Sequence, residues 1–180
     1  MEISESSKLY LENYNVLEQA RTEAHQYLER IINQMADEVD EYLKEKANGV
    51  IHFSKYVQKG GGLAQFYFER KEPIPGLTSV DKWRFYLEYR DAMRSEYVSS
   101  PTRCEVYCMA PKNHSRQNSE LIRMNKKLGL PDLFRQIEIE LLYIPEDVAV
   151  TTIKQQIIAL YEQFIKVVEG LIEETEKRSN

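Results

Sequence analysis

The spacing of apolar residues near the two ends of the chain constrains its fold more than any other feature. Residues 7–47 contain neither proline nor glycine, and their apolar side chains recur three and four residues apart, as along one face of an α-helix. Asn48 and Gly49 follow as a helix stop. The sequence therefore predicts an N-terminal helix over about residues 7–47, roughly 60 Å long. That is more than a chain of 180 residues needs to cover its core.

A second helical pattern begins after Pro145, where two acidic residues suit the positive end of a helix. Its apolar residues keep the same spacing and form a broad face, which is typical of a helix packed against a sheet and another helix. This pattern predicts a C-terminal helix over about residues 146–176. A short helix is predicted between Arg116 and Leu128, because Gly129 and Pro131 follow as stop signals.

Between these helices the apolar period changes to two residues, which is typical of half-buried strands with one polar face. The alternation covers residues 63–70, 82–90, 103–108 and 137–143. Residues 50–57 are either a further strand or a continuation of the first helix. The sequence thus predicts a single α+β domain over residues 1–180, in the order α-β-β-β-α-β-α. We expect a small, mainly antiparallel sheet of four or five strands packed against two long terminal helices and one short helix.

The chain shows no pattern typical of export or membrane insertion. No apolar run approaches the roughly 18 residues that cross a bilayer, and Met1 is followed by Glu2 rather than by the basic and apolar segments of a signal peptide. Cys104 and Cys108 lie in one predicted strand, about 13 Å apart, and cannot bridge each other. We therefore expect a cytoplasmic protein without a membrane partner.

No motif in the sequence specifies a reaction. The three consecutive glycines at 60–62 match neither a phosphate-binding loop nor a dinucleotide fingerprint, and they are interpreted as a turn. The histidines and cysteines lack the paired spacing of metal ligands, and no serine or cysteine lies in a nucleophile motif. The sequence predicts no metal site, no cofactor and no catalytic residue, which favours a non-enzymatic protein.

Charge is distributed unevenly along the chain. Residues 48–137 carry 15 basic against 9 acidic residues, a sum of +6, whereas the counts are 5 against 11 in residues 1–47 and 4 against 9 in residues 138–180. A nucleic acid or another anionic partner should therefore meet the middle of the chain. The candidate binding residues there are Arg84, Arg90, Lys112, His114, Arg116, Arg123, Lys126 and Lys127.

This basic segment has three interpretations. Arginines and tyrosines on an open sheet face suit the phosphates and stacked bases of a single-stranded nucleic acid. The same residue types are enriched at protein interfaces. The third interpretation is a solvated face on which glutamates neutralise neighbouring arginines across the strands.

The order of helix, three strands, helix and strand resembles the common core of the PD-(D/E)xK nuclease-like superfamily, over about two-thirds of the chain. In that family an Asp on the second strand and a Glu-x-Lys on the third strand hold a divalent metal ion. With strands counted from residue 63, the resemblance implies Glu88, Asp91 and Glu105 as ligands of Mg²⁺ or Mn²⁺. Tyr107 stands where the family has lysine, so the resemblance implies a degenerate relative.

Two functions from different classes are therefore expected. The first is a non-enzymatic interaction module that self-associates through its long helices as a homodimer. An N-terminal helix longer than the domain requires, twelve tyrosines and the lack of a catalytic motif all favour this function. The alternative is a nucleic-acid-acting protein with a nuclease-like core that uses the basic segment.

Overall fold

The computed structural model describes residues 3–46, 51–57, 63–70, 84–91, 103–109, 115–141 and 143–179. The helices in these ranges are α1 (Glu5–Glu12), α2 (Tyr14–Lys46), α3 (Ser115–Lys127) and α4 (Glu146–Ser179). The strands are β1 (Ile51–Val57), β2 (Leu63–Arg70), β3 (Arg84–Asp91), β4 (Arg103–Met109) and β5 (Gln136–Glu140). The α+β class is confirmed.

The strands pair antiparallel in the order β1-β2-β3-β4-β5, so strands that are consecutive in sequence are neighbours in the sheet. Phe66 of β2 lies opposite Leu87 of β3, and Val106 of β4 lies opposite Ile137 of β5. Residues 51–57, which the sequence left open between strand and helix, form β1. The short helix α3 lies in the connection between β4 and β5.

The helices cover the sheet as a second layer. α2 packs against β1 and β2, α4 packs against β3 and β4, and α3 lies beside α4. Cys104, Val106 and Cys108 are buried at alternate positions of β4 and belong to the same hydrophobic cluster as Ile31 of α2 and Ile157 of α4. Burial raises the pKa of the Cys108 thiol, so this cysteine is a packing residue rather than a reactive one.

The long helices α2 and α4 run parallel to each other. The Arg30 guanidinium pairs with Glu146 at 3.1 Å, and Lys154 pairs with Glu38 about two turns further along both helices. Tyr42 then donates a hydrogen bond to Glu162 at 2.9 Å. Because the residue numbers rise together along both helices, α4 begins beside Arg30. The part of α2 that precedes this level extends beyond the start of α4.

The N-terminal helical region, which the sequence predicted over about residues 7–47, is interrupted at Asn13. α1 ends at Glu12, the C-cap residue Asn13 has φ −109° and ψ 14°, and α2 begins at Tyr14. The Asn13 side-chain amide donates to the Leu9 carbonyl oxygen at 2.9 Å, where the Asn13 backbone N–H also bonds. A short polar side chain that competes for backbone acceptors interrupts the helix at this point.

A buried polar network attaches the end of α3 to the middle of α4. Asn125 and Gln163 are only 4% and 7% exposed. The Gln163 Nε2 donates to Asn125 Oδ1 at 2.8 Å and to the Pro131 carbonyl oxygen at 2.6 Å, and Arg135 donates to Gln163 Oε1 at 2.8 Å. Since a buried amide is costly to leave unpaired, this network fixes the path of the chain after α3.

Candidate interaction surface

The first part of the described chain projects from the helix and sheet layers. We call residues 3–26, which comprise α1 and the start of α2, the N-terminal arm. No side chain of the arm is buried, and the buried side chains of α2 begin at Leu28. The arm ends close to the level at which α4 begins beside Arg30. Neither α4 nor the sheet therefore covers the apolar side chains of the arm.

The arm carries most of the large apolar side chains that the described residues expose. There are twelve such side chains and seven of them lie in the arm, although it is a small part of the chain. The most exposed are Val16 at 68% and Leu9 at 62%. A concentrated apolar patch of this kind marks an interaction surface more often than scattered exposed residues do. The seven are Ile3, Leu9, Tyr10, Leu11, Tyr14, Val16 and Leu17.

The apolar residues of the arm continue the buried face of α2. Tyr10, Tyr14 and Leu17 are spaced four and three residues apart, and Leu28 follows Leu17 after about three helical turns. The rings of Tyr10 and Tyr14 meet edge to face with centroids 5.7 Å apart. One apolar stripe therefore runs from the exposed arm into the core, where Ile31 is fully buried.

The polar side of the arm is acidic. Residues 3–26 contain four glutamates against one lysine and one arginine. Lys8 pairs with Glu5 at 3.1 Å and Arg21 pairs with Glu18 at 2.7 Å, so both cations are already neutralised within the arm. Amphipathic helices that bind membrane surfaces carry an excess of Lys and Arg on the polar face. No helix in the described ranges has an apolar stretch long enough to span a membrane.

The apolar surface continues where the arm joins the rest of the protein. Tyr27 donates a hydrogen bond to the Ile144 carbonyl oxygen at 2.9 Å, which holds the turn before α4 against α2. The neighbouring Tyr143 is 94% exposed and has a φ of 64°. This left-handed conformation is uncommon for a bulky side chain. Val148, in the first turn of α4, is 47% exposed.

The basic residues expected to bind an anionic partner are only partly described. Lys112 and His114 lie outside the described residues, and Arg84, Arg90 and Arg116 are described in the backbone alone. Lys126 is exposed at the end of α3. The remaining two, Arg123 and Lys127, both form ion pairs with Glu174 of α4, the latter at 2.8 Å.

Glu174 acts as an acidic clamp between α3 and α4. Its hydrogen bond with Arg123, supported by Lys127, lowers the pKa of its carboxyl group to about 2. Arg123 also pairs with Glu120 of its own helix at 2.9 Å. Two of the eight predicted binding residues are thus engaged within the protein, and their charge is directed toward α4 rather than toward a ligand.

Only one of the three residues that the nuclease-like resemblance implies has a described side chain. Glu105 is 4% exposed on β4, and Glu88 and Asp91 of β3 are described in the backbone alone. Because β1 precedes β2, β4 is the fourth strand of the sheet, whereas the resemblance counts Glu105 on the third. Among the described residues, no three His, Cys, Asp or Glu side chains form a group suited to a metal ion.

Comparison with known proteins gives no relative. No family model, curated protein or solved structure matches the chain. The candidate surface therefore rests on the residues and their geometry alone.

The sequence pattern pointed to the long helices but not to the residues of the arm that are exposed. Leu9, Leu11 and Val16 lie beside the three-four stripe rather than on it. The width of the apolar face is the sequence signal that could have identified these three residues. Apolar residues on both flanks of the stripe make this face wider than one packed helix covers.

The Glu174 clamp predicts a pH-dependent contribution to stability. The folded-state pKa of about 2 lies below the ordinary value of 4.5, so the contribution is complete above about pH 4.5 and disappears as the pH falls toward 2. We expect Glu174→Gln to lower the free energy of unfolding at pH 7, and the difference from wild type to shrink between pH 4.5 and pH 2. Urea unfolding at pH 7, 4 and 2.5 measures this difference.

The neighbouring Glu173→Gln is the matched control. The Glu173 side chain is 69% exposed and its nearest cation, Lys177, is 3.9 Å away. We expect no change within about 0.5 kcal/mol. A Glu174→Gln difference that stayed constant across the pH range would contradict the clamp.

Proposed function

We propose that this protein is a non-enzymatic interaction module that forms a homodimer through its N-terminal arm. The observation that carries the proposal is the arm itself, a helical projection with seven exposed large apolar side chains and no buried residue. Leaving such a surface in water is unfavourable, because apolar area removed from water contributes roughly 25 cal/mol per Å². A partner that covers the arm would recover this free energy.

The exposed area is of the size that a specific complex uses. If all seven side chains bury roughly 80 Å² each, two arms remove at most on the order of 1,000 Å² of apolar surface from water. The polar side chains beside the stripe add to this value, which brings it into the range of about 1,200 to 2,000 Å² for standard interfaces. Interfaces of this size differ widely in affinity, so the Kd depends on how well the two stripes pack.

A second copy is the partner that the residues favour. The acidic polar side of the arm does not suit an anionic membrane surface, because its two cations already pair with Glu5 and Glu18. A second copy offers the same stripe of Tyr10, Tyr14 and Leu17, and identical surfaces form most soluble oligomers. Pairing of two arms would also bury the exposed section of the same apolar face that α2 already buries in the core.

A measurement of mass in solution tests this proposal. Sedimentation equilibrium or light scattering at about 10 µM should give twice the chain mass of 21.2 kDa, with dissociation on dilution below the Kd. A mass of one chain at every concentration up to about 100 µM would contradict the proposal.

The alternative, a nucleic-acid-acting protein with a nuclease-like core, has less support among the described residues. Arg123 and Lys127 are paired with Glu174, and Glu105 is buried. The positive sum of residues 48–137 is what favours it. Retention of labelled DNA or RNA at about 50 mM salt that is lost at about 200 mM, with or without Mg²⁺ or Mn²⁺, would support this function instead.

A further inference from the structure

We infer that the two arms of the dimer pair antiparallel, with the two-fold axis close to Tyr14. This inference rests on the proposed dimer and adds its geometry. It follows from three features of the molecule: the position at which α4 begins, the length of the arm, and the exposed apolar residues next to the arm.

The start of α4 argues against a parallel pair. Beyond Arg30 the face of α2 that continues the arm's stripe is covered by α4 and by the sheet. In a parallel dimer the two α2 helices would approach within about 8 to 10 Å along the arm and would continue side by side past this level. Both α4 helices would then occupy the space between them, where no room for a second pair of helices remains.

The length of the arm fits an antiparallel pair. Residues 3–26 span at most roughly 36 Å at 1.5 Å per residue, because the hydrogen bonds from Asn13 N to the Leu9 oxygen and from Leu17 N to the Asn13 oxygen keep the helical pattern across the interruption. When a second arm of the same length lies antiparallel along the first, its Ile3 comes beside Gln26 and it ends where α4 begins. Tyr14 and Asn15 then lie level with a two-fold axis, and this axis brings Tyr14, which lies on the stripe, close to Tyr14 of the second copy. The whole stripe is covered without displacing α4.

The residues next to the arm are apolar and exposed where the second arm would end. Tyr143 is 94% exposed and lies next to Ile144, whose carbonyl oxygen is bonded to Tyr27 at the end of the arm. Val148 is 47% exposed one turn further along. An antiparallel partner places its Ile3 and Leu9 near this end, so apolar side chains meet apolar side chains. A parallel partner would leave both surfaces in water.

Distances between spin labels on the polar side of the arm test the orientation. Glu5→Cys and Asn15→Cys introduce thiols at exposed positions outside the stripe. The native Cys104 and Cys108 are 0% and 4% exposed, so labelling is directed to the introduced thiols. In the antiparallel dimer the labels at residue 5 lie roughly 28 Å apart along the helix axis, whereas the labels at residue 15 lie nearly level.

We therefore expect the label-to-label distance at residue 5 to exceed that at residue 15 by roughly 15 Å. A parallel dimer would give the two positions similar distances, and that result would overturn the inference while leaving the proposed dimer in place. The mass of each labelled variant is measured on the same sample. A monomeric wild-type protein would overturn both the dimer and its geometry, so the two failures are distinguishable.

Discussion

Replacing Tyr14 and Leu17 together with glutamate is expected to convert the protein from a dimer to a monomer. Tyr14 is 48% exposed and Leu17 is 44% exposed in the isolated chain. A dimer that buries their exposed parts removes four partly exposed apolar side chains from water, two from each copy. At about 1 kcal/mol each this amounts to about 4 kcal/mol per dimer. The Kd should then rise by about a thousandfold, before repulsion among the added charges is counted. Sedimentation equilibrium measures this change directly.

The matched control adds the same charge to the opposite side of the arm. Asn15→Glu with Gln19→Glu changes two exposed polar residues outside the stripe and should leave the Kd within about threefold of wild type. Neither pair of substitutions touches a buried residue, so the free energy of unfolding of the monomer should stay within about 0.5 kcal/mol. If both pairs weakened the dimer equally, net charge rather than the apolar stripe would account for association.

The second large effect is expected at the buried network between α3 and α4. Gln163→Ala removes a donor from Asn125 Oδ1 and from the Pro131 carbonyl oxygen, and an acceptor from Arg135. The lost hydrogen bonds and the cavity left by the side chain should together lower the free energy of unfolding by about 3 kcal/mol. Chemical denaturation followed by far-UV circular dichroism measures the loss.

Gln155→Ala provides the control on the same helix. Gln155 is exposed, so the same change of residue type should alter the free energy of unfolding by less than about 0.5 kcal/mol. Equal losses for the two variants would contradict the role of the network, because replacing glutamine with alanine raises helix propensity and causes no loss by itself. The dimer should persist in both, since α4 begins beside Arg30, beyond the end of the arm.

Local patterns in the sequence were enough to predict the α+β class. The three-four spacing of Leu28, Ile31 and Met35 reflects a face that is buried in the structure. The alternation of Cys104, Val106 and Cys108 likewise reflects the apolar side of β4, which is buried. Such patterns are visible because a periodic backbone places every buried residue at a fixed interval.

Contacts between distant residues could not be predicted in the same way. Arg123 and Glu174 are 51 residues apart in sequence, and nothing in the basic segment indicates that an acid of α4 would engage it. The interruption at Asn13 depends on the rotamer of one amide side chain, which periodicity does not reveal. The charge of a segment is therefore a weaker guide to its partners than the fold that surrounds it.

The parallel course of α2 and α4 has a consequence for how the chain folds. The pairs that join these helices are separated by 116 to 120 residues, so the loop that they close contains all five strands of the sheet. Contacts of such long range slow folding, because the entropy of loop closure is lost before the contacts form. Before these contacts form, the apolar stripe is exposed to water along the whole of α2. In the folded monomer only the section of the stripe that lies in the arm stays exposed.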